Sequence, residues 1–279
     1  DDYPILFEGL MSCYYLNHKQ LKGRFKIYRE ANIEHTYYWA LAKAGRGFRY
    51  KLYHAIEAAK LCFFEKILKH AQLILAVSDS DRVELQTRFP LIETVFLPCF
   101  HAQQSIDMQL GSGNYLMYHA NLSVAENEKA ALFLCTHVFS KVSHHCIVAG
   151  YNPSEYLRKT IQKYDNIQLV ENPDEAGMQH LIKNAHIHVL ITFQATGLKL
   201  KLLHVLFAGR HVIANAAMLQ GTNLENLCVV AESPTEMIAA IQLLMRTNVD
   251  NDLVQMRIRT LKNHYSNSVL ANRIINLVF

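Results

Sequence analysis

Apolar runs rich in β-branched residues alternate with longer segments of helical periodicity along most of the chain. The first hundred residues contain four strand-like runs: ILFEG (5–9), RFKIYR (24–29), LILAVS (73–78) and TVFLP (94–98). A long helical region from about Ile33 to His70 separates the second run from the third, and it is interrupted near AGRG (44–47). This order of strands and helices is typical of an α/β fold built on a parallel sheet.

A second alternating series begins near residue 115 and predicts about six more strands. Their sequences are YLMYH (115–119), HCIVAG (145–150), IQLVE (167–171), HIHVLI (186–191), HVIAN (211–215) and LCVV (227–230). Helical segments separate these strands, and further helical stretches end the chain. The second series therefore predicts a doubly wound domain that is more complete than the first.

The segment between the two series has no clear periodicity and contains Gly111 and Gly113, which is typical of an interdomain linker. We therefore predict a first Rossmann-like domain at 1–100, a linker at 101–114, a second Rossmann-like domain at 115–264 and a C-terminal helix at 265–279, which is a candidate to pack back on the first domain.

Composition narrows the function classes. The chain of 279 residues is 51% hydrophobic and 19% charged, with a net charge of +4, as expected for a globular protein of ordinary charge. This balance does not indicate nucleic-acid binding, although it suits partners with anionic phosphates or a membrane surface. Six scattered cysteines without a CxxC pair predict a reduced, cytoplasmic protein, and no apolar run approaches the roughly 20 residues that span a bilayer.

Two lysines occupy an electrostatically unfavourable place in the segment TGLKLKLLHVLFAGRHVIAN (196–215). Its apolar spacing predicts a helix that ends at Gly209, so Lys199 and Lys201 fall in the first turn, where the helix dipole disfavours a cation by about 0.3–1 kcal/mol. A phosphate bound at the helix start would make the position favourable for a lysine, because the amides, the helix dipole and the ammonium would all face one anion. The alternative is a pair of solvated lysines beside a core helix.

Neighbouring residues support a phosphate site. Thr196 and Gly197 offer a hydroxyl and close backbone approach, and His204 shares a helix face with Lys201. Asn121 and Ser123 follow the strand that ends at His119, and ligands of doubly wound folds bind at the carboxyl ends of strands. We therefore expect these loops to converge on a donor site.

Five longer stretches carry a family resemblance: REANIEHTYYWALA (29–42), EAAKLCFFEKILKHAQLILAVSDSDRVEL (57–85), GNYLMYHANLSVAENEKAALFL (113–134), NIQLVENPDEAGMQHLIKNAHIHVLI (166–191) and FAGRHVIAN (207–215). Together they resemble the GT-B glycosyltransferases of the family 4 type. The resemblance implies two Rossmann-like domains that face a cleft, the first of them incomplete here. It also implies transfer of a hexosyl group from a nucleotide-activated donor such as a UDP- or GDP-sugar, with retained configuration, without a bound metal and without a further cofactor.

The resemblance further implies a saccharide or lipid-linked acceptor, a role in polysaccharide or glycolipid assembly, and a cytoplasmic location with contact to the inner face of the membrane as an option. Lys201 matches the family's diphosphate-binding lysine. His204 stands where the family has a ribose-binding glutamate, Thr196 where it has the first acid of a paired-glutamate motif, and Ala31 where a histidine is common. An imidazole can donate to a ribose hydroxyl but does not supply a carboxylate's two acceptors.

Polar residues near the ends of the first two strands are candidates for the catalytic positions that contact sugar or acceptor: Glu8, Arg29, Asn32 and Glu34. Helix capping and ordinary strand-end polarity explain the same residues equally well. The chain also starts at what resembles the family's fourth strand, so we expect these residues alone to bind nucleotide but to transfer sugar poorly.

One alternative function remains open, and two others are only weakly indicated. A non-catalytic binding module of the same ancestry fits the substitutions at Thr196, His204 and Ala31. A zinc site at His186 and His188 is weakly indicated because no HExxH or cysteine partner accompanies them. A sugar-nucleotide 2-epimerase shares the fold but calls for more acidic and histidine residues at the cleft. The basic aromatic segment 14–29 could stack on bases or contact lipid headgroups, but such a segment is more often a solvated helix that leads to an edge strand.

Overall fold

The computed structural model describes residues 3–45, 47–193 and 200–279. These residues form two compact units. The first contains the chain up to Cys99 together with Leu270–Phe279, and the second contains the described residues from Phe100 to Val269. Thr196, Gly197 and Lys199, three of the predicted donor-site residues, lie outside the described residues.

The first unit has a parallel sheet of four strands among its described residues, in the order β1-β2-β3-β4. These are β1 (Ile5–Glu8), β2 (Lys26–Arg29), β3 (Leu73–Ala76) and β4 (Glu93–Phe96). Its helices are α1 (Glu34–Ala44), α2 (Phe48–Phe64) and α3 (Asp79–Arg88), with 3-10 turns at Leu10–Tyr15, Lys19–Leu21 and Glu65–His70. The interruption predicted near 44–47 separates α1 from α2. The expectation of a helix leading to an edge strand at 14–29 is wrong, because β2 lies between β1 and β3.

Side chains alternate between the two faces of this sheet. Tyr28 and Ile74 pack into one cluster with Leu61 of α2. Ile27 and Leu73 point into the opposite cluster, which is covered by Leu270 and its neighbours from α11 (Asn267–Val278). The period of two along each strand thus requires a cover on both faces, and the last helix of the chain supplies one of them.

The second unit has a parallel sheet of six strands among its described residues, in the order β10-β9-β8-β5-β6-β7. These are β5 (Leu116–Asn121), β6 (Cys146–Tyr151), β7 (Ile167–Glu171), β8 (Ile187–Leu190), β9 (His211–Ala214) and β10 (Val229–Val230). β6 and β7 follow β5 in sequence and lie on one side of it in the sheet, whereas β8 lies on the other side of β5. The point between β5 and β8 is therefore the topological switch point of a doubly wound sheet.

Helices connect these strands and cover the sheet: α4 (Ala125–His137), α5 (Glu155–Ile161), α6 (Glu175–Asn184), α7 (Leu200–Ala208), α8 (Ala216–Leu219), α9 (Pro234–Leu244) and α10 (Asn251–Tyr265). Several starts are fixed by local side-chain caps, for example Ser154 on α5, Asp174 on α6 and a capping box of Ser233 with Glu236 on α9. No helix within the described part of the chain is long and apolar enough to cross a membrane.

The end of α7 is held by a buried arginine. Arg257 of α10 is fully buried and donates to the carbonyl oxygens of Leu206, Gly209 and Arg210. Its burial lowers the pKa of the guanidinium to about 10. The negative end of the α7 dipole and these carbonyls compensate the buried charge. Gly209 also leaves no room for a side chain, because an added Cβ would lie 2.5 Å from Nε2 of His188.

Candidate functional site at the carboxyl edge of the second sheet

The loops that leave β5 and β8 are fixed to each other by side chains. Glu126, in the first turn of α4, accepts the backbone N–H of Phe193 at 3.1 Å and the hydroxyl of Thr192. Asn215 closes the other side, since its Oδ1 accepts the N–H of Thr192 at 3.1 Å and its Nδ2 donates to the Thr192 carbonyl at 2.7 Å. The start of the loop after β8 is thus held between α4 and the end of β9.

Lys201 lies in the first described turn of α7 and points toward α4. Its Nζ donates to Oδ1 of Asn127 at 3.1 Å and lies 5.5 Å from the ring centroid of Tyr118. Asn127 in turn donates to the carbonyl of Asn121 at 3.0 Å. A chain of hydrogen bonds therefore connects α7, α4 and the end of β5 across the switch point. The sequence predicted Lys201 and Asn121 here but missed Asn127, whose position in the first turn after β5 was the available signal.

Asn121 and Ser123 form a local turn after β5. Oδ1 of Asn121 accepts the backbone N–H of Ser123 at 3.1 Å and its hydroxyl at 2.7 Å. The structure places both predicted residues at the same sheet edge as Lys201. Their hydrogen bonds to each other shape the loop. A contact of either residue with a ligand stays a prediction.

His204 borders a cavity of about 400 Å³ that lies within the second unit. The cavity is lined by Phe100, His101, Ala102, Gln103, Glu175, Met178, Gln179, Leu200 and His204. Burial lowers the pKa of His204, and the charge of Glu175 opposes this shift only in part. Its ring is therefore neutral at pH 7 and can donate from one nitrogen and accept at the other. Nε2 of His204 is buried and has no hydrogen-bond partner among the described residues.

His119, at the end of β5, lies behind this edge of the sheet. It is 5% exposed, and neither ring nitrogen has a hydrogen-bond partner among the residues that the structure describes. Its ring centroid is 6.1 Å from that of His204 and 6.3 Å from that of His188. Burial holds the pKa of His119 well below its usual range, and the two histidines and Lys201 lower it further. Sequence reasoning treated His119 only as the end of a strand.

The strand histidines that suggested zinc are hydrogen-bonded core residues. Nδ1 of His186 accepts the N–H of Gly113 at 3.0 Å, and its Nε2 donates to the carbonyl of Leu244 at 2.9 Å. Nε2 of His188 lies 3.0 Å from the carbonyl of Ile182. No group of three or more side chains with metal-ligand chemistry occurs in the described ranges 3–45, 47–193 and 200–279.

In the first unit, Glu8 and Arg29 are paired where β1 and β2 end. The guanidinium Nη1 of Arg29 lies 3.3 Å from Oε1 of Glu8, and Nη2 donates to the carbonyl of Pro98 at 3.5 Å. Glu34 lies in the first turn of α1, two residues after Asn32, and burial followed by the charge of nearby Glu65 raises its pKa. The structure therefore joins Glu8 to Arg29, and a contact of these four residues with sugar or acceptor stays a prediction.

Two buried carboxylates in the first unit were missed by sequence reasoning. Glu30 is 1% exposed, accepts the N–H of Val77 at 3.0 Å, and has its pKa raised to about 8 by burial and by the charge of Asp81. Glu65 is 3% exposed and is paired with Arg88 at 2.6 Å. Acidic side chains are usually exposed, so sequence reasoning assigns them to the surface. Nothing in the local sequence of Glu30 or Glu65 indicates that these two are buried.

Comparison with known proteins agrees with this architecture. Residues 113–247 match the family model described as Glycosyl transferases group 1. A structure of TarM has a TM-score of 0.71 at 12% identity, over 98% of this chain and 54% of TarM. A mutant of S. aureus TarM in complex with fondaparinux, alpha-GlcNAc-glycerol and UDP has a TM-score of 0.69 at 11% identity, over 98% of this chain and 55% of that protein.

A third similar structure is an alpha,alpha-trehalose-phosphate synthase (UDP-forming) from Burkholderia xenovorans in complex with glucose-6-phosphate, with a TM-score of 0.67 at 10% identity, over 99% of this chain and 73% of that one. No curated protein matches the chain significantly. The chain thus spans about half the length of TarM. It has the GT-B fold, and its residues 113–247 match the glycosyl transferases group 1 family model.

Proposed function

We propose that the protein transfers a hexosyl group from a nucleotide-activated sugar to a saccharide or lipid-linked acceptor, with retention of configuration, in polysaccharide or glycolipid assembly in the cytoplasm. The observation that carries this proposal is Lys201, a lysine in the first described turn of α7 at the switch point between β5 and β8. The family match and the similar structures, two of which are named with UDP, support it.

Electrostatics explain why a diphosphate suits this position. A cation near a helix N-terminus is unfavourable unless an anion joins it, and the switch point of a doubly wound sheet is where such anions bind. The hydrogen bond from Lys201 to the side-chain amide of Asn127 orients the ammonium. His204, three residues on, is neutral and faces the cavity, where we propose that it donates to a ribose hydroxyl.

The remaining predicted residues keep their proposed roles. Thr196, Gly197 and Lys199 would add a hydroxyl, an amide and a second cation to the diphosphate, with Asn121 and Ser123 at the facing loop. In the first unit, Glu8, Arg29, Asn32 and Glu34 are the proposed contacts of sugar or acceptor. We propose no cofactor besides the donor and no metal requirement, because a lysine pair supplies the positive charge that a divalent cation supplies elsewhere.

Titration calorimetry tests the donor site directly. UDP, GDP, ADP and their sugars are titrated into the chain, and Lys201→Ala is expected to weaken the best ligand by about 1.5–3 kcal/mol, the scale of a charge-assisted hydrogen bond. Lys163→Ala, an exposed lysine of the same unit, is the matched control and should leave the affinity unchanged. Equal affinity of Lys201→Ala and the unmodified chain would remove Lys201 from the site.

Chelation tests the metal statement in the same assay. We expect the nucleotide affinity to stay the same in excess EDTA. An affinity that falls with EDTA and returns with magnesium or manganese would show that the lysines do not replace a metal ion.

A second candidate function is a binding module that holds a nucleotide without catalysis. It is favoured by His204, since this imidazole stands where the resemblance implies a ribose-binding carboxylate. A donor-hydrolysis assay with chromatography of the released nucleotide separates the two candidates. Tight nucleotide binding with no released product, in a chain extended to the length of its relatives, would favour the binding module.

A further inference from the structure

Two helix faces line the cavity beside His204. Leu200 and His204 are four residues apart and share a face of α7, while Glu175 and Gln179 share a face of α6. Phe100 lies at the wall that the segment 100–103 supplies. The volume of about 400 Å³ falls within the range of small-molecule sites, about 300–1,000 Å³. The cavity is therefore large enough for a small organic group next to His204.

The proposed donor site determines which part of a nucleotide would reach this cavity. Lys201 points from α7 toward Asn127 of α4, whereas Leu200 and His204 line the cavity on the side of α6. A diphosphate at Lys201 and a ribose at His204 direct the remaining part of the ligand, its base, into the cavity. This step rests on the proposed function.

Two polar side chains of the cavity are available to a base. A carboxylate only accepts hydrogen bonds, whereas an amide both donates and accepts them. Within the part of the chain that the structure describes, no hydrogen bond or ion pair joins the side chain of Glu175 or Gln179 to another residue. His101 is less available, because its Nε2 lies 2.8 Å from the carbonyl oxygen of Tyr265. Glu175 and Gln179 thus offer acceptors and an amide, side by side on one helix face.

Guanine matches this pair of side chains better than the other common bases do. Its pairing edge carries two adjacent donors, the N1–H and the N2 amino group, next to the O6 acceptor. Uracil presents one N–H between two carbonyl oxygens, and a carboxylate repels those oxygens. Adenine presents one amino group beside an acceptor nitrogen. Phe100 adds an aromatic ring on which a purine can stack.

We propose that the cavity binds the base of the donor and selects guanine, with Glu175 accepting from N1–H and the N2 amino group and Gln179 donating to O6. The donor is then a GDP-sugar. Glu175 acts in both directions, because the carboxylate that accepts from guanine also disfavours the carbonyl oxygens of uracil.

Titration calorimetry of the whole chain with GDP, IDP, ADP and UDP isolates the base, since these ligands share the ribose and the diphosphate. IDP lacks only the N2 amino group of GDP. We expect GDP to bind at least about tenfold more tightly than UDP and ADP, and about fivefold or more tightly than IDP, the scale of a hydrogen bond to a charged group.

Variants assign the contacts to particular side chains. Glu175→Gln should weaken GDP binding at least about tenfold and bring the affinities for GDP and IDP close together, because the charged acceptor of the amino group is lost. Gln179→Met should weaken GDP and IDP by the same factor, since both carry O6. Glu155→Gln replaces an exposed glutamate in the first turn of α5 and should bind all four ligands as the unmodified chain does.

A purely structural role of Glu175 would weaken all four nucleotides alike, and that result would overturn the proposal. Tighter binding of UDP or ADP than of GDP, with Lys201→Ala still weakening the best ligand, would overturn the base assignment and leave the proposed function intact. An unchanged preference for GDP over IDP in Glu175→Gln would exclude this carboxylate as the selecting group. Absence of binding by every nucleotide would contradict the proposed function and the base assignment together.

Discussion

Replacing His119 by leucine tests how the second unit keeps a neutral histidine in its core. The ring is buried, neither nitrogen has a described hydrogen-bond partner, and its pKa is held well below the usual range by burial and then by His188, His204 and Lys201. In the unfolded chain the same side chain has a pKa of about 6.5. The unfolded state therefore takes up a proton on acidification that the folded state does not.

The difference between the folded and the unfolded pKa of His119 determines how much stability the chain loses on acidification. A histidine whose folded-state pKa is lowered contributes full stability above the unfolded pKa and loses it as the pH falls below that value. Between about pH 7.5 and 5.5 the loss for one buried ring is about 1.3 kcal/mol of unfolding free energy. Glu30 acts in the opposite direction, since its pKa of about 8 means that its contribution is lost as the pH rises, but it is the same in both chains and cancels.

The assay is urea unfolding at the two pH values, followed by circular dichroism, for the unmodified chain and for His119→Leu. The variant should lose about 1.3 kcal/mol less stability on acidification. His180→Leu, at an exposed position of α6, is the control and should lose as much as the unmodified chain. An equal loss in His119→Leu and the unmodified chain would refute the assignment of a neutral, buried ring.

Three further substitutions test the packing around the site and in the first unit, each by urea unfolding at pH 7. Arg257→Leu should cost about 3–5 kcal/mol, because it leaves the carbonyls at the end of α7 without their donor, and a loss below about 1 kcal/mol would contradict that role. Gly209→Ala should cost about 1–3 kcal/mol, since its Cβ would lie 2.5 Å from Nε2 of His188, and a neutral result would show that this ring moves easily. Glu65→Gln should cost about 1–3 kcal/mol by leaving Arg88 without its buried partner, and no change in the urea midpoint would count against that pair.

The fold was largely predictable because the local pattern and the global architecture agree. Strands β8 and β9 of the second sheet are buried along their whole length, as expected for parallel strands covered on both faces. The limits of this approach appear at β10, where the predicted strand at 227–230 shrinks to Val229–Val230, both exposed at the sheet edge. The periodicity of the sequence indicates which residues are apolar, but edge position decides how many of them pair.

The segment between the two predicted domains shows what periodicity omits. Residues 101–114 have no helical or strand pattern, yet the segment is held in the second unit by specific contacts. The N–H of Asp107 donates to the carbonyl of Phe207 at 2.8 Å, and Arg210 donates to Oε1 of Gln109 at 2.9 Å. These partners are about a hundred residues apart in sequence, so no local rule could have paired them.

The candidate site also contains residues that the local sequence indicates and residues that only the tertiary structure brings together. A lysine in the first turn of a helix is a local anomaly, and the sequence alone therefore made Lys201 a candidate, which stays a prediction. Its partner Asn127 is on another helix, and His119 becomes unusual only because β8 and α7 bury it; neither fact is encoded within a short window. Local electrostatic conflict therefore indicates a candidate ligand-binding residue, while strand order sets the groups that orient it. The Lys201→Ala titration tests this candidate, because an anion bound beside the helix start would offset the unfavourable position of the lysine.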